Sequence, residues 1–137
     1  ITATDISKNA VTLAKMARYD GISMSRGMDQ NLIEPYFDIN GKAHSPVDVI
    51  KNMVKFDTFN LQRDFGILGQ FDIIFLRNVA IYFSDSFKEE LFEKLARALK
   101  PDGVLVLGSS ESMIGLNTPF ETNSINRFMY YTVKKSS

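Results

Sequence analysis

A polar pair, Arg77-Asn78, closes the apolar run Phe71-Asp72-Ile73-Ile74-Phe75-Leu76, and Tyr82 stands four residues beyond the asparagine. A guanidinium, an amide and a phenol at this spacing can orient a carboxylate or another polar ligand, and folding does not require them there. The plainer alternatives are a solvated loop for the pair and a plug under the following helix for Tyr82. Asp5 follows the β-prone run from Ile1 to Thr4. Its two oxygens match the vicinal hydroxyls of a ribose, or they cap the helix entered at Ser7. Asn60 precedes Leu61; an amide there can read an adenine edge with an apolar neighbour against the base, although asparagine is also an ordinary turn residue. Ser109-Ser110-Glu111-Ser112 offers hydroxyls and an acid, but there is no Gly-x-Ser-x-Gly elbow and the one histidine, His44, lies elsewhere, so Ser-His-Asp hydrolysis has no support. His44 reads as a surface residue of a hairpin. Asp72, at the entrance of its strand, reads as a structural partner.

The chain has 137 residues, with 16 basic and 16 acidic side chains, no Cys and 45% hydrophobic residues. Balanced charge argues against nucleic-acid binding by phosphate neutralisation. Without thiols there is no disulfide or thiolate metal site, and one histidine leaves no histidine cluster, so metal chemistry could come only from carboxylates, and no metal site is assigned. Apolar runs as short as Ile73 to Leu76 give no membrane insertion.

The elements that must position these residues follow from periodicity. Ser7 caps a helix carrying Val11, Ala14 and Ala17, which Gly21 is expected to end. A second helix is expected from about Met28 to Pro35. A hairpin is expected over Tyr36 to His44 with Asn40-Gly41 as a type I′ turn, followed by a helical turn in Val47 to Asn52 and a strand from Met53 to Phe59. Phe71 to Leu76 reads as a strand covered on both faces. Ser84 caps a long helix with Phe87, Leu91, Leu95 and Ala98 on one face, stopped by Pro101 and Gly103. Gly103 to Gly108 and Arg127 to Lys134 are further strands; Glu111 to Asn126 is poorly patterned. Strand–helix alternation predicts an open, doubly wound parallel α/β sheet, whose ligands bind at the strands' carboxyl ends, where Asp5, Asn60, Arg77, Asn78 and Ser109 to Glu111 stand.

Phe71 to Phe83, Leu99-Lys100-Pro101-Asp102-Gly103-Val104-Leu105-Val106-Leu107-Gly108 and Ser110-Glu111-Ser112 resemble the catalytic domain of CheR-type chemotaxis receptor methyltransferases. Ala3 to Ser7, Tyr36-Phe37 and Phe59-Asn60-Leu61 fall in the family's order, so the resemblance covers nearly the whole chain. Lys-Pro-Asp-Gly is common to many methyltransferases, whereas Arg-Asn-Val-x-Ile-Tyr-Phe with Gly-x-Ser-Glu-Ser is far more specific. The resemblance implies a cytoplasmic protein-glutamate O-methyltransferase of chemotaxis adaptation, acting on the cytoplasmic domain of chemoreceptors. Its cofactor is S-adenosyl-L-methionine and its product S-adenosyl-L-homocysteine. Asp5 would hold the ribose, Asn60 and Leu61 the adenine, Arg77 and Asn78 the methionine end, and Tyr82 would stand at the methyl group and the substrate carboxylate, with Tyr82 and Arg77 catalytic. Another class I methyltransferase and a non-catalytic receptor-docking domain are the alternatives.

Two departures accompany the resemblance. Ser109 stands where the family usually has the histidine of Gly-His-Ser-Glu. The chain begins at Ile1, already in a strand, and lacks the family's N-terminal helical domain and first strand. The expected fold is therefore a Rossmann-like class I methyltransferase sheet lacking its first strand, one incomplete catalytic domain over residues 1–137 with a small inserted subdomain at 37–56. Either a retained upstream fragment or a strand-swapped dimer would complete the sheet, and the fragment alone is expected to be inactive.

Overall fold

The computed structural model describes residues 1–135, which fall into two compact units, Ile1–Asn60 and the remainder from Leu61. In the first unit, β1 (Thr2–Asp5) pairs in parallel with β5 (Lys55–Thr58), Asp5 opposite Thr58. Between them runs α1 (Lys8–Met16), whose N-cap Ser7 accepts a hydrogen bond from the Ala10 N–H at 3.2 Å. Gly21 does not end this helix. Ala17 does so, in the left-handed conformation at φ 49°, and Gly21 opens α2 (Gly21–Gly27) because Asp20 caps it by accepting from Ser23 N–H. The helix expected from Met28 is α3 (Gln30–Tyr36), started by the Asp29 cap and ended one residue after Pro35.

β3 (Phe37–Asn40) and β4 (Ala43–Pro46) form the expected hairpin, but Asn40 pairs with Ala43, so its turn is Gly41-Lys42. Gly41 alone takes a positive φ, 64°, the pattern of a type II′ turn with glycine first. β2 (Tyr19–Asp20) adds to the other edge of β4, giving a sheet ordered β2-β4-β3. His44 is therefore a half-buried residue of the middle strand rather than a surface one, and its Nδ1 is shielded with no hydrogen-bond partner among the described residues. α4 (Asp48–Lys51) is the expected helical turn. Of the expected insertion 37–56, the hairpin belongs to the small sheet, whereas Lys55 and Phe56 pair with β1.

The second unit is a mixed sheet ordered β6-β7-β9-β8. β6 (Phe71–Leu76) and β7 (Leu99–Leu107) are parallel, as strands joined by a crossover helix must be; β9 (Phe128–Val133) and β8 (Phe120–Ile125) are antiparallel additions, so the sheet is not all-parallel. The crossover helix α5 (Asp85–Ala98) is capped by Ser84 and buries Leu91, Phe92, Leu95 and Ala98. It ends before Pro101: Leu99 already pairs with Phe71, and the segment to Gly103 bulges out before pairing resumes at Ile73 and Val104. A Cβ on Gly103 would meet Phe71 O and Lys100 O at 3.0 Å, which explains the glycine in this bulge. Across its mouth Lys100 Nζ binds Asp72 at 2.8 Å, the partner role expected of that acid.

β6 is covered on one face only. Leu76 is buried, but Ile73 and Phe75 on the opposite face are 53% and 69% exposed, contrary to the expectation of two covered faces. The poorly patterned segment contains β8, joined to β9 by Asn126-Arg127, both at positive φ. This is a type I′ turn with arginine where glycine is usual, which hides it in the sequence.

Candidate functional site

Candidate residues stand at the carboxyl end of each parallel pair. In the first unit the Phe59 N–H donates to Asp5 O at 2.9 Å, so β1 and β5 end side by side and bring Asp5 and the Phe59-Asn60 turn together. Asp5 is exposed and its Oδ1 accepts the Ser7 N–H at 2.7 Å. That bond is an Asx turn leading into the helix that Ser7 caps. Each carboxylate oxygen has two lone-pair positions, so it leaves room for hydroxyl donors. Leu61, half-buried, opens the second unit.

In the second unit β6 ends at Leu76 opposite Leu107 of β7, and the two exit turns are joined by one side chain. Glu111 Oε2 accepts the N–H groups of Asn78 and Gly108, each at 2.8 Å, and Oε1 accepts those of Val79 at 2.9 Å and Ala80 at 2.7 Å. Burial raises the Glu111 carboxyl, but the donors Gly108, Val79, Asn78 and Ala80 outweigh it and hold it below the ordinary glutamate value. Gly108 is required by this closeness: a Cβ there would lie 2.7 Å from Glu111 Oε2 and 2.9 Å from Asn78 Oδ1. Asn78 takes φ 59°, a left-handed conformation that asparagine tolerates better than most residues, so its amide type has a backbone reason as well.

Beyond the brace, Ala80 to Tyr82 forms a single 3₁₀ turn. Ala80 is 3% exposed, whereas Tyr82 is 80% exposed, so Tyr82 does not plug the space under α5. Phe83 and Phe87, both half-buried, meet edge to face at 4.8 Å. Arg77 is exposed, and no carboxylate among the described residues pairs with its guanidinium. A cation and a phenol left uncommitted beside a rigid turn can bind a carboxylate.

The sequence matches the family described as CheR methyltransferase, SAM binding domain, over residues 1–129. The chain belongs to this family. It is 38% identical over 135 residues to the chemotaxis protein methyltransferase of Vibrio anguillarum, which covers 98% of this chain and 49% of that protein. The figures are the same for chemotaxis protein methyltransferase 1 of Vibrio cholerae serotype O1. For the chemotaxis protein methyltransferase of Salmonella typhimurium the identity is 30% over 125 residues, covering 88% of this chain and 43% of that protein. The chain spans about half the length of the curated relatives it matches. S-adenosylmethionine is the cofactor of CheR domains of this kind.

The CheR domain thus groups Asp5 with Asn60 in one unit and Arg77, Asn78 and Tyr82 in the other. The sequence placed Glu111 at a strand end without a role, because its bonds to the first exit turn span 31 to 33 residues. The available signal was an acid three residues after Gly108, opposite a polar exit from the neighbouring strand. No helix among the described residues is long and apolar enough to cross a membrane.

Proposed function

We propose that this chain is the S-adenosylmethionine-binding part of a cytoplasmic methyltransferase that esterifies glutamate side chains on the cytoplasmic domains of chemoreceptors. The observation that carries this reading is the family match, which runs through every candidate residue from Asp5 to Tyr82. Asp5 holds the ribose hydroxyls, Asn60 and Leu61 flank the adenine, and Arg77 with Asn78 lies along the methionine end. The exposed carboxylate at the β1 exit suits hydroxyl donors, and the exposed Arg77 guanidinium suits a carboxylate. When bound, S-adenosylmethionine supplies a methyl group on a sulfonium for transfer to a carboxylate oxygen, leaving S-adenosylhomocysteine.

The acceptor carboxylate is already ionised and nucleophilic at neutral pH, so the protein has no proton to abstract and must position and desolvate it instead. Arg77 and Tyr82 are suited to this, since the guanidinium offers paired N–H donors and the phenol one O–H, both outside the folded core. A site without histidine or cysteine suffices for such chemistry.

The finer fold is a Rossmann-like sheet interrupted between β1 and β6. Two observations support it: each of these strands has a hydrogen-bonded neighbour on one edge only, and Ile73 and Phe75 of β6 are exposed. Such edges pair readily with another strand. The completing strand comes from the half of the relatives' length that this chain does not span. Size-exclusion chromatography with light scattering separates this from a strand-swapped dimer, which would elute at twice 15.5 kDa. The functional reading is tested by calorimetric titration of the full-length protein with S-adenosylhomocysteine. Saturable one-site binding, weakened in Asp5→Ala, is expected; absence of binding contradicts it.

A further inference from the structure

We propose that Glu111 is a positioning residue for the reaction: its carboxylate fixes the backbone of Asn78, Val79 and Ala80 and thereby sets Arg77 before them and Tyr82 after them. The inference rests on the roles given above to Arg77 and Tyr82.

The geometry argues for a mechanical role. All four bonds go to backbone N–H groups in two turns that the sequence separates, three of them consecutive at the β6 exit. Local structure does not hold that segment alone, because Asn78 sits at φ 59° and the 3₁₀ turn after it is only three residues long. Packing does not hold Tyr82 either, since the residue is 80% exposed. The phenol's place therefore follows from the backbone, and the backbone's from Glu111. Only a carboxylate fits: both oxygens accept twice, whereas glutamine at this position would turn its NH₂ group toward two N–H donors. Gly108 admits the carboxylate and would exclude it if it carried a side chain.

The test is a mutant cycle in the full-length protein, with methyl transfer to a chemoreceptor cytoplasmic domain measured at saturating S-adenosylmethionine. Glu111→Gln lowers kcat about tenfold on the scale of a misplaced reacting group. Adding it to a variant that already carries both Arg77→Ala and Tyr82→Phe lowers kcat less than about threefold further, because the brace acts through those two side chains. A tenfold loss in both backgrounds, or a kcat within twofold of the parent for Glu111→Gln, overturns the proposal. If Glu111→Gln does not fold, hydrogen exchange on the unaltered protein decides. The amides of Asn78, Val79, Ala80 and Gly108 are expected to be protected although Asn78 lies in an exposed turn; unprotected amides at 78 to 80 overturn the brace. A parent protein that methylates no receptor refutes the functional reading instead, and the exchange result still judges the brace independently.

Discussion

Two strand exits with the same topology are built in opposite ways. At the end of β1 and β5, Asp5 is held by one local bond to Ser7, two residues away, and the unit around it has short elements and no fully buried side chain among its largest residues. At the end of β6 and β7, Glu111 ties two turns together with four bonds, over a helix whose Leu91 and Phe92 are 0% and 1% exposed. The contrast suits the two tasks proposed for these exits. Holding a ribose tolerates adjustment, whereas placing a carboxylate for in-line transfer does not.

The largest effect that could break this comparison is on the cores. Phe92→Ala, which also removes an edge-to-face contact with Phe120, is expected to cost about 3–5 kcal/mol, and Met24→Ala in the first unit about 2 kcal/mol, the low end for such deletions. Urea unfolding checks this; equal costs would mean that the units are equally well packed. Next, Asp5→Ala is expected to weaken S-adenosylhomocysteine binding by about tenfold to a hundredfold, from lost charge-assisted hydrogen bonds. Its stability cost should stay near about 1 kcal/mol, that of one local hydrogen bond, in thermal melts.

At the braced exit, Tyr82→Phe and Arg77→Ala should each lower turnover about tenfold, the scale of one hydrogen bond lost in the transition state. Cofactor affinity should change less. Unaltered turnover in both would remove them from the reaction. Acid sharpens the comparison further. Because Glu111 titrates below its ordinary value when folded, the brace stabilises fully above about pH 4.5, the scale of the unfolded carboxyl, and that contribution is lost as pH falls through the lowered value. Amide signals of residues 78 to 80 and 108 should therefore move together on acidification. The smallest effect is at the bulge mouth: Asp72→Ala removes an exposed ion pair with Lys100 and should cost less than about 1 kcal/mol in urea unfolding.

What could be read in advance follows the range of the forces involved. Ser84 with the Phe87, Leu91, Leu95, Ala98 stripe, and Ser7 with Val11, are local patterns, and both helices are found with their caps. The stripe missed Phe92, which packs against Phe120 of β8, a strand whose type I′ turn carries Arg127 instead of glycine. The apolar run of β6 suggested two covered faces, but an apolar sequence cannot reveal whether anything lies against each face. Asp5, Asn60, Arg77, Asn78 and Tyr82 could be singled out because strand ends and unusual side-chain types can be recognised one residue at a time. Glu111 joins turns more than thirty residues apart, and only the paired strands bring them together.

The most direct measurement is transfer of label from S-adenosyl-[methyl-³H]methionine to a purified chemoreceptor cytoplasmic domain by the full-length protein. The label is expected on glutamate side chains as base-labile methyl ester, and to be lost in Asp5→Ala at limiting cofactor. Label that is absent, or that is stable to base, would contradict glutamate esterification.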